Sequence, residues 1–213
     1  MNLIFFGPPG AGKGTQASLL AESGDYNHIS TGELFRQSIS QDTELGREAK
    51  AYLDKGELVP DEITIGLVRN LLIDMAGKSW ILDGFPRTIP QAEALDRLME
   101  DLNIRSPRAV FFEVPKSVLI KRLTGRRGCP SCGALYNVYF SPPKVEGLCD
   151  RCGSALSQRK DDSEDVIGAR LREYDKKTAP LKDYFETKNR IILVNADGPK
   201  DVVREELGKA LDS

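Results

Sequence analysis

Residues 3–15 constrain this chain more than any other stretch. The apolar run Leu3-Ile4-Phe5-Phe6 passes without a spacer into Gly7-Pro8-Pro9-Gly10-Ala11-Gly12-Lys13-Gly14-Thr15, and the helix-forming residues Gln16-Ala17-Ser18-Leu19-Leu20-Ala21 follow. Strand, glycine loop and helix in that order fit the phosphate-loop pattern of a Gly, four residues and Gly-Lys. The glycines let backbone N–H groups turn inward, the helix start adds positive potential, and Lys13 can reach the outer phosphates of a polyphosphate. The residue after Lys13 is Gly14, and the hydroxyl comes one place later, at Thr15. A nicotinamide-dinucleotide turn is the weaker reading, because the third glycine of that pattern is missing at position 15.

The rest of the chain supplies strands and helices in alternation. Tyr26 to Ile29 reads as a second strand, and Ser30-Thr31-Gly32-Glu33 has the form of a capping box for the next helix. Thr31 and Arg36 then lie at the end of the sheet where α/β folds bind ligands. His28, the only histidine, sits within that strand and reads as a packed residue. Leu45, Ala49 and Leu53 mark a short helix ended by Lys55-Gly56, and Asp61 reads as the cap of a helix with the stripe Ile63, Leu67, Leu71 and Met75. Trp80-Ile81-Leu82-Asp83 is a third strand ending in an acid placed to hold the water shell of Mg²⁺; Arg87 on the next turn can fork onto a phosphate. Thr88 and Gln91 have capping-box spacing. Arg108 to Val114 and Ile191 to Val194 complete five strands, with a helix over 116–124 and a last helix opened by Pro199. The expectation is a three-layer α/β phosphate-loop domain with a five-stranded parallel sheet.

One segment breaks this alternation. All four cysteines of the 213-residue chain fall in Cys129-Pro130-Ser131-Cys132-Gly133 and Cys149-Asp150-Arg151-Cys152-Gly153. Paired Cys-x-x-Cys-Gly knuckles predict a zinc-ribbon-like insertion with four thiolate ligands and no open coordination position, so the metal is expected to be structural. Zn²⁺, Fe and Co all tolerate sulfur in that geometry. A thioredoxin-like redox pair would need one Cys-x-x-Cys at a strand–helix junction, which this segment lacks. Arginines crowd its borders: Arg122, Arg126 and Arg127 before it, Arg159 after it, Arg170 and Arg172 beyond. Two phosphate-bearing substrates brought together carry about five or six negative charges, and an arginine-flanked insertion beside a phosphate loop can neutralise them while closing as a lid.

Taken together, these motifs resemble the adenylate kinase family in its long form with a metal-bearing lid, over nearly the whole chain. The phosphate loop with its Gly14, Ser30-Thr31-Gly32, Asp83-Gly84-Phe85-Pro86-Arg87-Thr88, Gly125-Arg126-Arg127, Phe140-x-Pro142-Pro143-Lys144 and Arg159-x-Asp161-Asp162 carry the resemblance. It implies transfer of the terminal phosphate of Mg-ATP to AMP, giving two ADP, for adenine nucleotide homeostasis. Gly10, Ala11, Gly12, Lys13, Gly14 and Thr15 would cradle the ATP phosphates. Arg122, Leu135, Tyr136 and the Lys200 backbone would contact the rest of ATP. Thr31, Arg36, the backbone of Glu57, Leu58 and Val59, then Gly84, Phe85, Pro86, Arg87 and Gln91 would hold AMP, with Gln91 on the adenine edge. Lys13, Arg87, Arg126, Arg159 and Arg170 would be catalytic, Arg159 and Arg170 also touching AMP. The implied organisation is a core of residues 1–125 and 160–213, an AMP-binding subdomain over 30–60, and a zinc-binding lid over 126–159. At Asn137 the chain departs from the family, which often carries His after the lid tyrosine.

Pyrimidine and guanylate kinases are the nearest rivals, and the long cysteine-bearing insertion favours the adenylate kinases. Switch GTPases and motor ATPases carry Ser or Thr directly after the loop lysine, where this chain has Gly14. A zinc ribbon that grips nucleic acid would need more basic residues than accompany Tyr136, Tyr139 and Phe140, and the net charge of −2 argues the same way. No run of apolar residues approaches membrane-spanning length. A cytoplasmic monomer that binds neither nucleic acid nor membrane is expected.

Overall fold

A computed structural model describes residues 1–75 and 77–212. Its central sheet is parallel and has the order β2-β3-β1-β4-β7, with β1 at Leu3–Phe6, β2 at Asn27–Ser30, β3 at Trp80–Asp83, β4 at Arg108–Glu113 and β7 at Ile191–Asn195. Around it lie α1 (Lys13–Glu22), α2 (Thr31–Ser40), α3 (Glu44–Leu53), α4 (Asp61–Asp74), α5 (Ile89–Asp101), α6 (Lys116–Thr124), α7 (Glu164–Glu173), α8 (Leu181–Glu186) and α9 (Lys200–Asp212). The five-stranded α/β architecture is as the sequence predicts.

Alternation along the strands explains the three layers. Ile4, Phe6, Trp80, Leu82, Ala109 and Phe111 face one core with Leu72 of α4, Leu95 and Met99 of α5, and Phe185 of α8. Leu3, Phe5, Ile81, Val110, Phe112 and Val194 face the other, with Ala17 of α1, Leu119 of α6 and Leu207 of α9. Phe6 stacks on Phe111 with centroids 4.6 Å apart, while Phe5 meets Phe112 edge-on at 4.9 Å. Both sheet faces are thus dry, which is why these strands read as apolar runs. Register places Ser30 beside Asp83, and Asp83 beside Phe5. The three strand ends therefore release Gly7, Thr31 and Gly84 at one carboxyl edge.

Two smaller units sit at that edge. Phe35, Ala49 and Val59 form a separate cluster, packed by Leu45, Tyr52, Leu53, Ile63 and Leu67. The cysteine segment builds a two-stranded antiparallel sheet of β5 (Arg126–Gly128) and β6 (Leu135–Asn137). A turn of 3-10 helix at Lys160–Asp162 leads back into α7.

Local departures from the sequence reading have physical causes. Ser30 precedes α2, but its side chain makes no capping bond; Glu33 turns outward to Arg36 instead, 2.8 Å away. Pro60, not Asp61, occupies the cap of α4, and the Asp61 carboxylate leaves its helix for other partners. The stripe Ile63, Leu67, Leu71, Met75 is divided. Ile63 and Leu67 pack on the small cluster, whereas Leu71 and Met75 join the main core beside Thr64, Val68 and Leu72, which are the buried positions of α4. A helix wedged between two clusters buries two faces, so one periodic stripe cannot describe it. The helix that carries Arg170 and Arg172 starts at Glu164 and widens into a π-helical turn over Tyr174–Thr178.

Candidate active site

The phosphate loop is held open by its own backbone. Gly12 caps α1 in the left-handed region at φ 94°, and Ala11 N–H donates to the Pro8 carbonyl at 3.1 Å. Lys13 Nζ folds back onto the loop, donating to the carbonyls of Gly7 (2.7 Å) and Pro8 (3.1 Å). Burial pulls its pKa down to about 8; Asp83 opposes that, and Arg87, Arg170 and Arg126 add to it. The Arg159 guanidinium is lowered to about 10 by burial and by Arg126 and Arg36, against Glu33 and Asp161. Burial lowers Arg87 as well. A cluster of buried cations that disfavour their own charge is a strong attractor for anions.

Carboxylates hold these cations apart and in place. Asp162 is fully buried; it accepts from Arg126 Nε at 2.7 Å and from Arg170 Nη1 at 2.9 Å. Glu33 Oε2 accepts from Arg36 Nη2 at 2.8 Å and from Arg159 Nη2 at 3.4 Å, so the cysteine segment's exit and α2 touch across the cleft. Asp83 lies below the ordinary carboxylate range: burial pushes it up, but the His28 ring and the Lys13 and Arg87 charges outweigh burial. His28 Nε2 stands 3.6 Å from Asp83 Oδ2. His28 is thus packed as expected, yet against an expected site residue.

On the acceptor side, one cavity is lined by Thr31, Gly32, Phe35, Leu53, Leu58, Val59, Thr64, Gly84, Arg87 and Gln91. It joins six of the expected AMP residues and adds Phe35, Leu53 and Thr64 as its apolar wall. Glu57 lies outside that lining, and the Phe85 side chain belongs to the main core at 2% exposure, so its backbone is what the loop can present. The Phe85–Pro86 peptide is cis. Arg87 Nε donates to the Gly84 carbonyl at 2.8 Å, which tethers the guanidinium beside Thr31.

On the donor side, Arg122 Nη2 donates to the carbonyls of Ala196 and Gly198, tying α6 to the loop before α9. The Lys200 carbonyl accepts from Gln16 Nε2 at 2.8 Å. Leu135 is exposed. The Tyr136 hydroxyl turns toward the cysteines, accepting from Asp150 N–H at 2.8 Å and lying 3.6 Å from Cys149 Sγ. Asn137 is well used: Nδ2 donates to the Arg122 carbonyl and Oδ1 accepts from the N–H groups of Tyr139 and Phe140. The side chain at this departure from the family pattern pins β6 to the end of α6.

Cys129, Cys132, Cys149 and Cys152 bring their sulfurs within 4.8 Å of one another, and none forms a disulfide. Both knuckles close the same way, Gly133 N–H donating to the Cys129 carbonyl and Gly153 N–H to the Cys149 carbonyl, with each glycine at φ 73°. The Cys149 thiol is lowered to about 6: burial raises it, and hydrogen bonds from Tyr136 and from the N–H groups of Cys152 and Arg151 more than reverse this. Converging thiols, one already favouring thiolate, fit a metal ion.

Asp61, Asp162 and Glu33 were not foreseen as site residues, although the last two lie within recognised motifs. Asp61 reads in sequence as a helix cap, and that local role hides its contacts with Thr88 and Gln91.

Comparison with known proteins agrees with the geometry. The family model for adenylate kinase matches residues 5–190. Over 213 residues the chain is 47% identical to an adenylate kinase of Clostridium novyi (strain NT), covering 100% of this chain and 99% of that protein. An adenylate kinase of Carboxydothermus hydrogenoformans is 51% identical over 203 residues, and one of Staphylococcus aureus (strain Mu50 / ATCC 700699) is 50% identical over the same length, each covering 95% of this chain and 94% of the relative. A phosphate loop, a facing cavity, arginines gathered between them and a four-cysteine insertion beside them thus occur in a chain that belongs to the adenylate kinase family.

Proposed function

We propose that the chain transfers the terminal phosphoryl group of Mg-ATP to AMP, reversibly, giving two ADP. The observation that carries this reading is the gathering of the partly buried Lys13, Arg87, Arg126, Arg159 and Arg170 between the phosphate loop and the acceptor cavity, where burial and neighbouring cations lower the pKa values of Lys13, Arg87 and Arg159.

An oxygen of the AMP phosphate attacks the terminal phosphorus of ATP; the new O–P bond forms as the bridging P–O bond to the β-phosphate breaks, and ADP leaves. The nucleophile is already an anion, so no general base is required, and catalysis consists of alignment and charge neutralisation. Gly10 to Thr15 cradle the ATP phosphates, and Lys13 leaves the Gly7 and Pro8 carbonyls for the transferred group. Arg126, Arg159 and Arg170 stabilise the charge in flight, while Arg122, Leu135, Tyr136 and the Lys200 backbone hold the remainder of ATP. Thr31, Arg36, residues 57–59 and 84–87 and Gln91 hold AMP. Asp83, kept ionised, would hold the water shell of the Mg²⁺ that enters with ATP, an ion that would neutralise phosphate charge.

Residues 1–125 and 160–213 serve as the core, residues 30–60 as the AMP-binding subdomain and residues 126–159 as a lid that closes over both substrates and excludes water. Zn²⁺ is the metal best matched to four thiolates, in a structural role. A cytoplasmic monomer, without nucleic acid or membrane partners, completes the proposal. No described helix is long and apolar enough to cross a membrane.

A coupled assay of ADP formation from ATP and AMP with Mg²⁺, run beside CMP, UMP and GMP, tests the reading. Turnover confined to AMP is expected; transfer to none of the four would overturn it.

A further inference from the structure

We propose that Asp61 sets the base selectivity of the acceptor pocket, by locking the amide of Gln91 in one of its two orientations. The inference rests on the AMP reading above and names a determinant within that site.

Asp61 opens α4, outside the cavity. Its Oδ1 accepts from Gln91 Nε2 at 2.7 Å and its Oδ2 from the Thr88 hydroxyl at 2.8 Å. On the other side of the amide, Gln91 Oε1 accepts from the Arg87 N–H at 2.7 Å. A glutamine amide can turn by half a rotation and exchange its nitrogen and oxygen with almost no change in shape, so something must choose between the two. Here the neighbours choose. A carboxylate only accepts and a backbone N–H only donates, so the turned amide would set oxygen against oxygen at Asp61 and donor against donor at Arg87. Gln91 is 2% exposed, and no bulk water is at hand to relieve such contacts.

Those two bonds leave the amide one N–H and one oxygen lone pair. Adenine offers the complement, an acceptor at N1 and a donor at N6. Hypoxanthine and guanine offer the reverse, an acceptor at O6 and a donor at N1. A fixed amide therefore pairs with adenine and meets a 6-oxopurine with like groups opposed. Buried sites that hydrogen-bond one partner reject a mismatched one by about 10⁴-fold or more. Asp61 is a positioning residue in this scheme, acting only through Gln91, and Thr88 holds its second oxygen so that the first stays aimed.

The test is Asp61→Asn, which keeps the shape and supplies a group able to donate or accept. With one of two locks removed, the ratio of kcat/KM for AMP to that for IMP is expected to fall about tenfold or more, through a higher KM for AMP and new turnover of IMP, with KM for ATP unmoved. Thr88→Ser, which keeps the hydroxyl's bond to Asp61 and its cap on the Gln91 backbone N–H, should shift that ratio less than threefold. Asp61→Ala, which removes the acceptor for Gln91 Nε2 altogether, should lower the ratio in the same direction and serves if Asp61→Asn does not fold. An AMP-to-IMP ratio unchanged in the folded variant overturns the inference. A wild-type chain that phosphorylates no AMP would instead sink the reading it rests on.

Discussion

A Cβ added to Gly14 would stand 3.2 Å from Oδ2 of Asp83. The position that carries a metal-binding hydroxyl in other phosphate loops is crowded here by a carboxylate, so a side chain after Lys13 must displace Asp83 to fit. Gly14→Ser should accordingly fail to add a metal ligand. We expect it to push Asp83 aside by a few tenths of an ångström, raise the Mg²⁺ concentration for half-maximal rate and lower turnover about tenfold. A Mg²⁺ titration of ADP formation reads both; equal or tighter Mg²⁺ dependence would count against the role given to Asp83.

Lys13 predicts a pH dependence whose sign is fixed. Its pKa is lowered to about 8 in the free protein, chiefly by burial, so its charge is lost as pH rises through that value. Bound phosphate needs the cation. Affinity for Mg-ATP should therefore fall about tenfold between pH 7 and pH 9, as protonating the lysine becomes part of binding. Titration calorimetry at several pH values checks this, and Lys13→Met should bind weakly with a flat profile across the same range.

Arg126→Ala should leave the fold intact and lower kcat by about 10³-fold, by analogy with arginines that meet a transferring phosphoryl group. Because Asp162 is fully buried and shared with Arg170, some of that loss will come from Arg170 losing its alignment. Combining Arg126→Ala with Arg170→Ala should then cost less than the product of the two single losses. Steady-state kinetics of the three variants decide it.

Stripping metal from the four cysteines should lower the Tm by about 5–10 °C while leaving activity at low temperature. The four cysteines join the knuckles beside β5 and β6, and Arg126 and Arg159, the residues proposed to meet phosphate there, flank the cluster rather than belong to it. Loss of all activity with the fold intact would contradict a bracing role.

Far from the cleft, Asp96 accepts from Arg190, Lys188 and the Tyr184 hydroxyl. Burial raises its pKa, but these three bonds prevail and hold it below the ordinary range. A carboxyl depressed by folding contributes stability that is fully present above its unfolded value, about 3.9, and is lost as pH falls through the folded one. Asp96→Asn should cost about 1 kcal/mol, a Tm drop of about 2–4 °C near pH 6, with the gap to wild type closing as pH falls below about 4. Thermal melts across that range test it.

What the sequence made legible follows from how locally each feature is encoded. The apolar runs at Leu3–Phe6 and Arg108–Glu113 need only their own composition to declare a doubly covered strand, and the glycine loop and cysteine knuckles need only their spacing. Asp61 could not be read that way, because its partners Thr88 and Gln91 are 27 and 30 residues away. Glu33 reads as half of a capping box, but Arg36 three residues on holds its carboxylate at 2.8 Å, and Arg159, 126 residues on, approaches the same oxygen at 3.4 Å, a contact no local pattern contains. Pairings made by tertiary contact leave no periodic trace.

The widened turn after α7 has a mechanical consequence. Arg170, bonded to Asp162, and Thr178, whose hydroxyl donates to the Arg87 carbonyl at 2.9 Å, ride on one continuous helical member. Eight residues separate them, about 12 Å of axial rise. One stiff rod thus ties the Asp162 carboxylate at one end to the backbone of the Gly84–Arg87 turn at the other, so the spacing of Arg170 from Arg87 is set by the helix rather than by either loop.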